Sequence, residues 1–257
     1  MQEKQILIDD LSINYKIEGE GKPILILHGW GGSSDSWIKI IEGLKKDFLL
    51  ICPDLPGFGK SSFPKFPWEL DNYVFLVKKF IEALNLKKII LIGHSFGGKI
   101  AIKFVSLFPE YVELLILCAP SGMRKKSGFK QKVLLFFSFF GNLLFKIKFF
   151  SSFKGKAQDF FYSLINSDYR KTKGTMRETF KKIVSVEVLD ELPKILPKTY
   201  IIWGGKDKIL PIEQANFFAK NIKNAILLTL PNFSHSPHLE KPKEFVGILK
   251  KILVQKP

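Results

Sequence analysis

Ser95 lies in a setting that can turn a hydroxyl into a nucleophile. The residues Gly93-His94-Ser95-Phe96-Gly97 fit the pattern G-x-S-x-G. The apolar run IILI precedes them and the amphipathic stretch FGGKIAIKFVSLF follows, so the serine is expected at a tight turn from a strand into a helix. Glycine two residues to either side lets strand and helix approach, and the helix N-terminus favours an anionic intermediate. The alternative is a glycine-rich turn with only a structural role.

A serine nucleophile needs a base, and the base needs an acid that orients it. When the serine lies on such a turn, the acid and then the histidine follow it in the chain. Two histidines follow Ser95, and both lie in NFSHSPHLEKP after the last predicted strand. His235 is nearer the strand end, where the chemistry of parallel sheets gathers, and is predicted to be the base. His238 is nearer the helix and suits a packing or capping role.

Asp207 is the predicted acid. It lies in IIWGGKDKILP, after a predicted strand and two glycines and before a helix that starts near Pro211. Asp190 and Glu191 precede that strand and so lie on its wrong side. The alternative for Asp207 is a solvated loop residue or a helix cap.

Acyl transfer also needs hydrogen-bond donors for the oxyanion of its intermediate. The stretch HGWGGSS, residues 28–34, follows the predicted strand KPILIL, and its glycines allow a close approach of the backbone. The predicted donors are the backbone N–H groups of Trp30 and Phe96, with His28 and Gly29 as the supporting loop. A flexible glycine loop is the other interpretation.

The remaining elements must place these residues at one edge of a sheet. Alternating strand and helix patterns predict the α/β class, with a doubly wound and mostly parallel sheet. The predicted strands are an edge hairpin (ILIDD, LSINYKIEG) and six apolar runs: KPILILHG, FLLICPD, KKIILIGH, YVELLILCAP, PKTYIIWGG and NAILLTLPN. The apolar runs suit strands that are covered on both faces. The predicted helices between them are SSDSWIKIIEGLKK, DNYVFLVKKFIEALN, FGGKIAIKFVSLF, PIEQANFFAKNI and PKEFVGILKKILV.

Residues 123–186 break this alternation and predict a helical insertion. QKVLLFFSFFGNLLFKIKFF, AQDFFYSLIN and TMRETFKKIVS have helical patterns, with no strand between them. The predicted organisation is a core of residues 1–122 and 187–257 with a helical cap (lid) of residues 123–186. Between Met123 and Lys182 the chain has fifteen Lys or Arg and three acids, and twelve of its 25 phenylalanines. Much of the net charge of +16 therefore belongs to this segment.

The Phe-rich run of residues 133–145 has two possible roles. As a helix it spans about 20 Å, which is short of a bilayer core of roughly 30 Å. The favoured role is a cap helix that packs on the core and walls an apolar acyl pocket. The alternative is a peripheral membrane contact in which phenylalanines enter the lipid and lysines meet anionic headgroups. The sequence has no recognised nucleic-acid motif, so no nucleic acid is expected as a partner.

Composition favours a folded protein of the cell interior. The 257 residues are 46% hydrophobic and 25% charged, which supports a sizeable core. Cys52 and Cys118 each end an apolar run, and no CxxC pair occurs. The start, MQEKQILIDD, has no apolar region typical of a signal peptide. We therefore expect a reducing, cytoplasmic setting.

Five stretches, taken in order, resemble the α/β-hydrolase superfamily, in its serine-nucleophile, cap-bearing branch. They are HGWGGSSDSW (28–37), DLPGFGKSS (54–62), GHSFGG (93–98), WGGKDKILP (203–211) and SHSPHLEKP (234–242). The resemblance implies an α/β-hydrolase fold with a helical cap, with Ser95 as nucleophile, Asp207 as acid and His235 as base. It implies a structural role for Asp54. One residue departs from the family, because Ser234 stands where glycine usually precedes the histidine.

These residues predict a serine hydrolase. The expected substrate is a small-molecule carboxylic ester with an apolar acyl or alcohol part, cleaved through an acyl-enzyme, with no cofactor and no metal. The alternatives are hydrolysis of a carbon–carbon bond in a vinylogous diketone, and lactonase or acyltransferase chemistry. Because specificity depends on the arrangement of cap side chains, the sequence does not name the substrate.

Overall fold

The chain folds around one eight-stranded sheet. The computed structural model describes residues 1–123 and 173–254. Its strands are β1 (Gln2–Ile8), β2 (Leu11–Glu18), β3 (Pro23–Leu27), β4 (Leu49–Pro53), β5 (Ile89–His94), β6 (Val112–Cys118), β7 (Lys198–Gly204) and β8 (Ala225–Leu230). Their order across the sheet is β1-β2-β4-β3-β5-β6-β7-β8. The pairs β1–β2 and β2–β4 are antiparallel and the others are parallel, so the predicted hairpin and parallel sheet are confirmed.

Seven α-helices accompany the sheet within the described ranges. They are α1 (Ile38–Leu44), α2 (Leu70–Ala83), α3 (Phe96–Leu107), α4 (Gly174–Ser185), α5 (Ile212–Asn221), α6 (Pro237–Glu240) and α7 (Pro242–Val254). Every helix predicted for the core is present, with a short 3-10 turn ahead of α1. In the predicted insertion, α4 confirms the helix read from TMRETFKKIVS. The other two predicted insertion helices lie outside the described residues, and the boundaries at 123 and 186 stay predictions.

The two faces of the sheet carry separate cores. In β3, Leu25 and Leu27 pack on the side of α2, α3 and α5, whereas Ile24 and Ile26 pack on the side of α1 and α7. This alternation follows from the period of two along a strand. Helices on both faces make the sheet doubly wound, as predicted. None of the helices within the described ranges has both the length and the apolar character needed to span a bilayer.

Strand β8 departs from the prediction. Its apolar sequence predicted burial on both faces, but none of its residues is fully buried, and Ile226 is 40% exposed. The prediction was wrong because β8 is the last strand of the sheet and pairs only with β7. An edge strand keeps one side open to solvent whatever its composition.

Candidate active site

Ser95 lies in a strained turn between β5 and α3. Its φ is 50° and its ψ is −110°, a left-handed conformation that is rare for a residue with a side chain. Its N–H donates to the carbonyl oxygen of Cys118 at 3.0 Å. Its own carbonyl oxygen accepts from the N–H groups of Lys99 and Ser121, both at 3.0 Å. Because three bonds from three elements fix this backbone, the turn holds the serine at the carboxyl edge of the sheet.

The glycines of this turn have the steric role expected from the sequence. A Cβ at Gly93 would lie 2.7 Å from the carbonyl oxygen of Gly97, and a Cβ at Gly97 would overlap the backbone of Leu27. A Cβ at Gly98 would lie 2.7 Å from Cβ of Pro120. The helix α3 therefore sits so close to β3 and β5 that only glycine fits at these positions.

Gly97→Ala is expected to destabilise the fold, because the backbone of β3 has no room for the new methyl group. Forcing atoms into a packed core costs about 1–3 kcal/mol, and backbone neighbours place this site at the upper end. Urea unfolding measures the change. Gly247→Ala in α7 is the matched control, since a Cβ there meets no atom within 4 Å and should stabilise the helix by about 0.5–1 kcal/mol. Equal unfolding free energies for the two variants would contradict the steric argument.

Asp207 and His235 meet at the same edge. Asp207 Oδ2 accepts a hydrogen bond from Nδ1 of His235 at 2.7 Å, and its side chain is 1% exposed. Its Oδ1 accepts from the N–H groups of Ile209 and Leu210 at 2.8 and 2.9 Å. Burial disfavours the carboxylate, but the bonds from His235 and these N–H groups outweigh it and hold the pKa of Asp207 below its ordinary value. A charged Asp207 thus keeps the proton on Nδ1, which leaves Nε2 of His235 to act as a base.

Ser95 lies near the Asp207–His235 pair because the residue before it, His94, contacts His235. The rings of His94 and His235 have centroids 5.0 Å apart, and Nε2 of His94 lies 3.0 Å from the carbonyl oxygen of His235. Within the described ranges no hydrogen bond joins the Ser95 hydroxyl to His235. Catalytic hydrogen bonds are often long without substrate and shorten when it binds.

The loop after β3 lies against Ser95, as the sequence predicted for an oxyanion loop. A Cβ at Gly29 would lie 3.4 Å from Cβ of Ser95. His28 is buried and bridges two loops, because its Nδ1 donates to the carbonyl oxygen of Gly29 at 2.8 Å and its Nε2 accepts from the N–H of Leu55 at 2.9 Å. Burial lowers the pKa of His28, which keeps the ring neutral and suits this pairing.

The N–H groups predicted as oxyanion donors make no hydrogen bond to the described residues. In the part of the chain that the structure describes, neither Trp30 nor Phe96 donates its backbone N–H to an acceptor. Phe96 is the first residue of α3, so its N–H has no partner within the helix. The side chain of Trp30 is held by edge-on contacts with three phenylalanine rings at centroid distances of 4.9–5.2 Å: Phe58, Phe96 and Phe180.

His238 has a packing role. Its ring stacks on Trp37 with centroids 4.2 Å apart and planes 7° apart, and it is 2% exposed. Burial lowers its pKa to about 3, with smaller contributions from His235 and His28. The structure therefore places His235, and not His238, against Asp207.

The buried, neutral His238 should make stability depend on pH. Its pKa is depressed from about 6.5 in the unfolded chain to about 3, so the unfolded state binds more protons between these values. The contribution of His238 to stability is then constant above about pH 6.5 and falls by about 1.4 kcal/mol per unit below it, or about 2 kcal/mol by pH 5. His238→Phe keeps the stacking on Trp37 and removes the proton site. Urea unfolding at pH 7.5 and 5.0 should show a loss smaller by about 2 kcal/mol in the variant, and identical losses would refute the assignment.

Asp54 organises loops, as the resemblance implied. Its Oδ1 accepts from the N–H of Ser34 at 2.6 Å, and its Oδ2 accepts from the N–H of Lys60 at 2.9 Å and the side-chain amide of Asn14 at 3.0 Å. These bonds join β2, the loop after β3 and the loop after β4. A Cβ at Gly59 would overlap the carboxylate, which accounts for the second glycine in DLPGFGKSS.

Helix α4 packs beside the turn that carries Ser95 and is anchored there by a buried lysine. Nζ of Lys99 donates to the carbonyl oxygens of Ile183 and Val186 at 2.7 and 2.8 Å, at the C-terminal end of α4. The Trp68 N–H donates to Oγ1 of Thr179 at 2.9 Å. The helix carrying Phe180 is thereby tied directly to the helix that begins after Ser95.

Two residues near the site were missed by sequence reasoning. His94 was treated only as a variable position of the pentapeptide, and Glu240 was not considered. Glu240 Oε2 accepts from both N–H and Oγ of Ser234, each at 2.7 Å. Ser234 does not have a positive φ, so the serine that replaces the usual glycine fits without strain. Glu240 ends the short helix α6, six residues after Ser234, and no motif in the sequence marks this pairing.

Comparisons with known proteins find relatives in sequence and in fold. Human monoacylglycerol lipase ABHD6 is 28% identical over 280 residues, which cover 97% of this chain and 81% of that protein. The esterase EaEST from Exiguobacterium antarcticum has a TM-score of 0.75 and 22% identity, covering 96% of this chain and 97% of its own. The meta-cleavage product hydrolase CumD from Pseudomonas fluorescens IP01 has a TM-score of 0.73 and 20% identity, covering 97% of both chains. At these identities the two structures share the fold alone.

A family model covers most of the chain. The model described as the alpha/beta hydrolase fold matches residues 22–242, from the start of β3 to the start of α7. This range contains the turn at Ser95, the Asp207–His235 pair and the loop of His28. The chain therefore belongs to the α/β hydrolase fold family.

Proposed function

We propose that the protein is a serine hydrolase that cleaves carboxylic esters with an apolar acyl or alcohol part. The observation that carries the proposal is the 2.7 Å hydrogen bond between Asp207 and His235, at the edge where the strained turn presents Ser95. Acyl transfer requires a serine next to an imidazole and a buried carboxylate on the other side of that imidazole.

The proposed reaction has two halves. Nε2 of His235 takes the proton of Ser95 as Oγ attacks the ester carbonyl carbon, and the oxyanion accepts bonds from the N–H groups of Trp30 and Phe96. The imidazolium then gives its proton to the departing alcohol as the C–O bond breaks, which leaves an acyl-enzyme. His235 then takes a proton from water as the water oxygen attacks the acyl carbon. The bond from that carbon to Oγ breaks, the imidazolium returns the proton to Oγ, and the acid leaves.

The surroundings of Ser95 support an apolar substrate. Trp30 contacts the rings of Phe58, Phe96 and Phe180 near Ser95, so the described wall of the site is aromatic. We infer that the segment 123–186 forms a cap over this wall, with α4 as its anchored C-terminal part. The name of the relative ABHD6, a monoacylglycerol lipase, supports an ester with an acyl chain.

Carbon–carbon hydrolysis is the second candidate, because the likeness to CumD extends over the whole fold. The likeness to EaEST is as complete, so the fold does not separate the two chemistries. A lactone or an acyl acceptor other than water would use the same acyl-enzyme.

Two measurements test the proposal. A fluorophosphonate probe should label Ser95, identified by mass spectrometry of the labelled peptide, and absence of labelling would exclude an active serine. A panel of p-nitrophenyl esters of increasing acyl length, a lactone and a vinylogous diketone should then show kcat/KM highest for the esters. A kcat/KM at least tenfold higher for the diketone or the lactone would replace ester hydrolysis by that chemistry.

A further inference from the structure

The backbone that carries His235 is held on both sides of the imidazole. Before it, Glu240 Oε2 accepts from N–H and Oγ of Ser234, each at 2.7 Å. After it, the carbonyl oxygen of His235 accepts from Nε2 of His94 at 3.0 Å. Burial lowers the pKa of His94 well below its ordinary value, so this ring is neutral and its Nε2 carries the donated proton.

A fourth bond ties the same loop to the residue before Asp207. The N–H of Lys206 donates to the carbonyl oxygen of Phe233 at 2.9 Å. Lys206 directly precedes Asp207, as His94 directly precedes Ser95. The peptide group between Phe233 and Ser234 therefore has both its oxygen and its N–H fixed, the N–H by Glu240.

We propose that Glu240 is a positioning residue, whose carboxylate orients the His235 imidazole by holding Ser234. Ser234 offers this carboxylate two hydrogen-bond donors, whereas a glycine at the same position would offer one. The inference rests on the proposed function, since it assigns His235 as the base. Glu240 does not touch the reacting atoms, and it acts through the backbone that carries His235.

The chemistry of the two bonds fits this role. Hydrogen bonds to a charged carboxylate are shorter and stronger than neutral ones, and both distances are short. The bonds from Ser234 lower the pKa of the Glu240 carboxyl, so the acceptor stays charged across the neutral range. The two hydrogen bonds from Ser234 to Glu240, here called the clasp, join residues six positions apart. The clasp fixes the backbone directly before His235.

Removing the clasp should lower the rate without changing substrate binding. A displacement of about 1 Å at a reacting group costs roughly 100-fold in rate. We expect Glu240→Ala to lower kcat for a p-nitrophenyl ester by about 10- to 100-fold, with KM within about twofold. Glu240→Gln keeps an oxygen that accepts both bonds and should recover kcat to within about fivefold of the wild type. Ser234→Ala removes only the bond from the hydroxyl, so its kcat should lie between those of Glu240→Ala and the wild type.

The control is Glu244→Ala. Glu244 is an exposed carboxylate four residues later, in the first turn of α7, and it forms an ion pair with Lys241 at 3.7 Å. This variant should match the wild type. A kcat for Glu240→Ala equal to that of Glu244→Ala, or a Glu240→Gln variant as slow as Glu240→Ala, would overturn the positioning role.

A spectroscopic measurement separates this inference from the proposed function. The proton between Nδ1 of His235 and Oδ2 of Asp207 should give a low-field proton NMR resonance in the full-length enzyme, assigned by its loss in His235→Gln. Glu240→Ala should broaden or shift that resonance, whereas Glu244→Ala should leave it unchanged. If the wild type hydrolyses no ester and no fluorophosphonate labels Ser95, the proposed function fails, yet the resonance still reports on the clasp. An unchanged resonance in Glu240→Ala would refute the clasp even in an active esterase.

Discussion

Ser95→Ala is expected to lower kcat for p-nitrophenyl butyrate by about 10⁴- to 10⁶-fold. The substitution removes the oxygen that is proposed to form the acyl-enzyme, while His235 and the N–H groups of Trp30 and Phe96 stay in place. Alanine leaves the turn backbone to be held by the same three bonds, from Cys118, Lys99 and Ser121. The measurement is the steady-state release of p-nitrophenol, together with loss of fluorophosphonate labelling.

Ser106→Ala is the matched control for that experiment. Ser106 lies on the same helix, α3, and its hydroxyl donates to the carbonyl oxygen of Lys103 at 2.8 Å. This bond stays within the helix, so kcat should remain within about twofold of the wild type. Turnover by Ser95→Ala within tenfold of the wild type would remove Ser95 from the mechanism.

The order and period of apolar residues predicted most of this fold. The runs that become β3 to β7 are long, apolar and separated by helical patterns, and each is buried where the pattern requires. The error at β8 has a physical source. A run such as AILLTL specifies a strand, but its place at the edge is set by the order of strands in the sheet, which no local pattern encodes.

The proposed reactive groups were easier to find in the sequence than the groups that hold them. Ser95, Asp207 and His235 could be chosen because chemistry demands those residue types in that order after strands. Glu240 accepts from the N–H and the hydroxyl of Ser234, and His94 holds a backbone carbonyl group 141 residues away. A hydrogen bond to a carbonyl oxygen leaves no trace in the partner's side chain, so sequence reasoning has nothing to match.

The four histidines of the chain illustrate the same distinction. His28, His94 and His238 are buried, and burial lowers the pKa of each, which keeps them neutral. Two of them hold backbone groups and the third stacks on Trp37. Among the described residues only His235 pairs with a carboxylate, so identical side chains take different roles through their surroundings.

Asp207→Asn is expected to lower kcat by about 10⁴-fold with little change in KM. The asparagine amide can donate to Nδ1 of His235, which moves the imidazole proton to Nε2 and removes the base from Ser95. The carbonyl oxygen of the new side chain can still accept from Ile209 and Leu210, so the loop should keep its shape. Steady-state kinetics on the same ester give kcat and KM, and urea unfolding shows whether the fold is retained.

Asp190→Asn, at an exposed carboxylate before β7, is the control and should match the wild type. A folded Asp207→Asn enzyme that retains kcat within tenfold would show that another group orients His235, and the 2.7 Å bond would then serve the fold instead of the reaction.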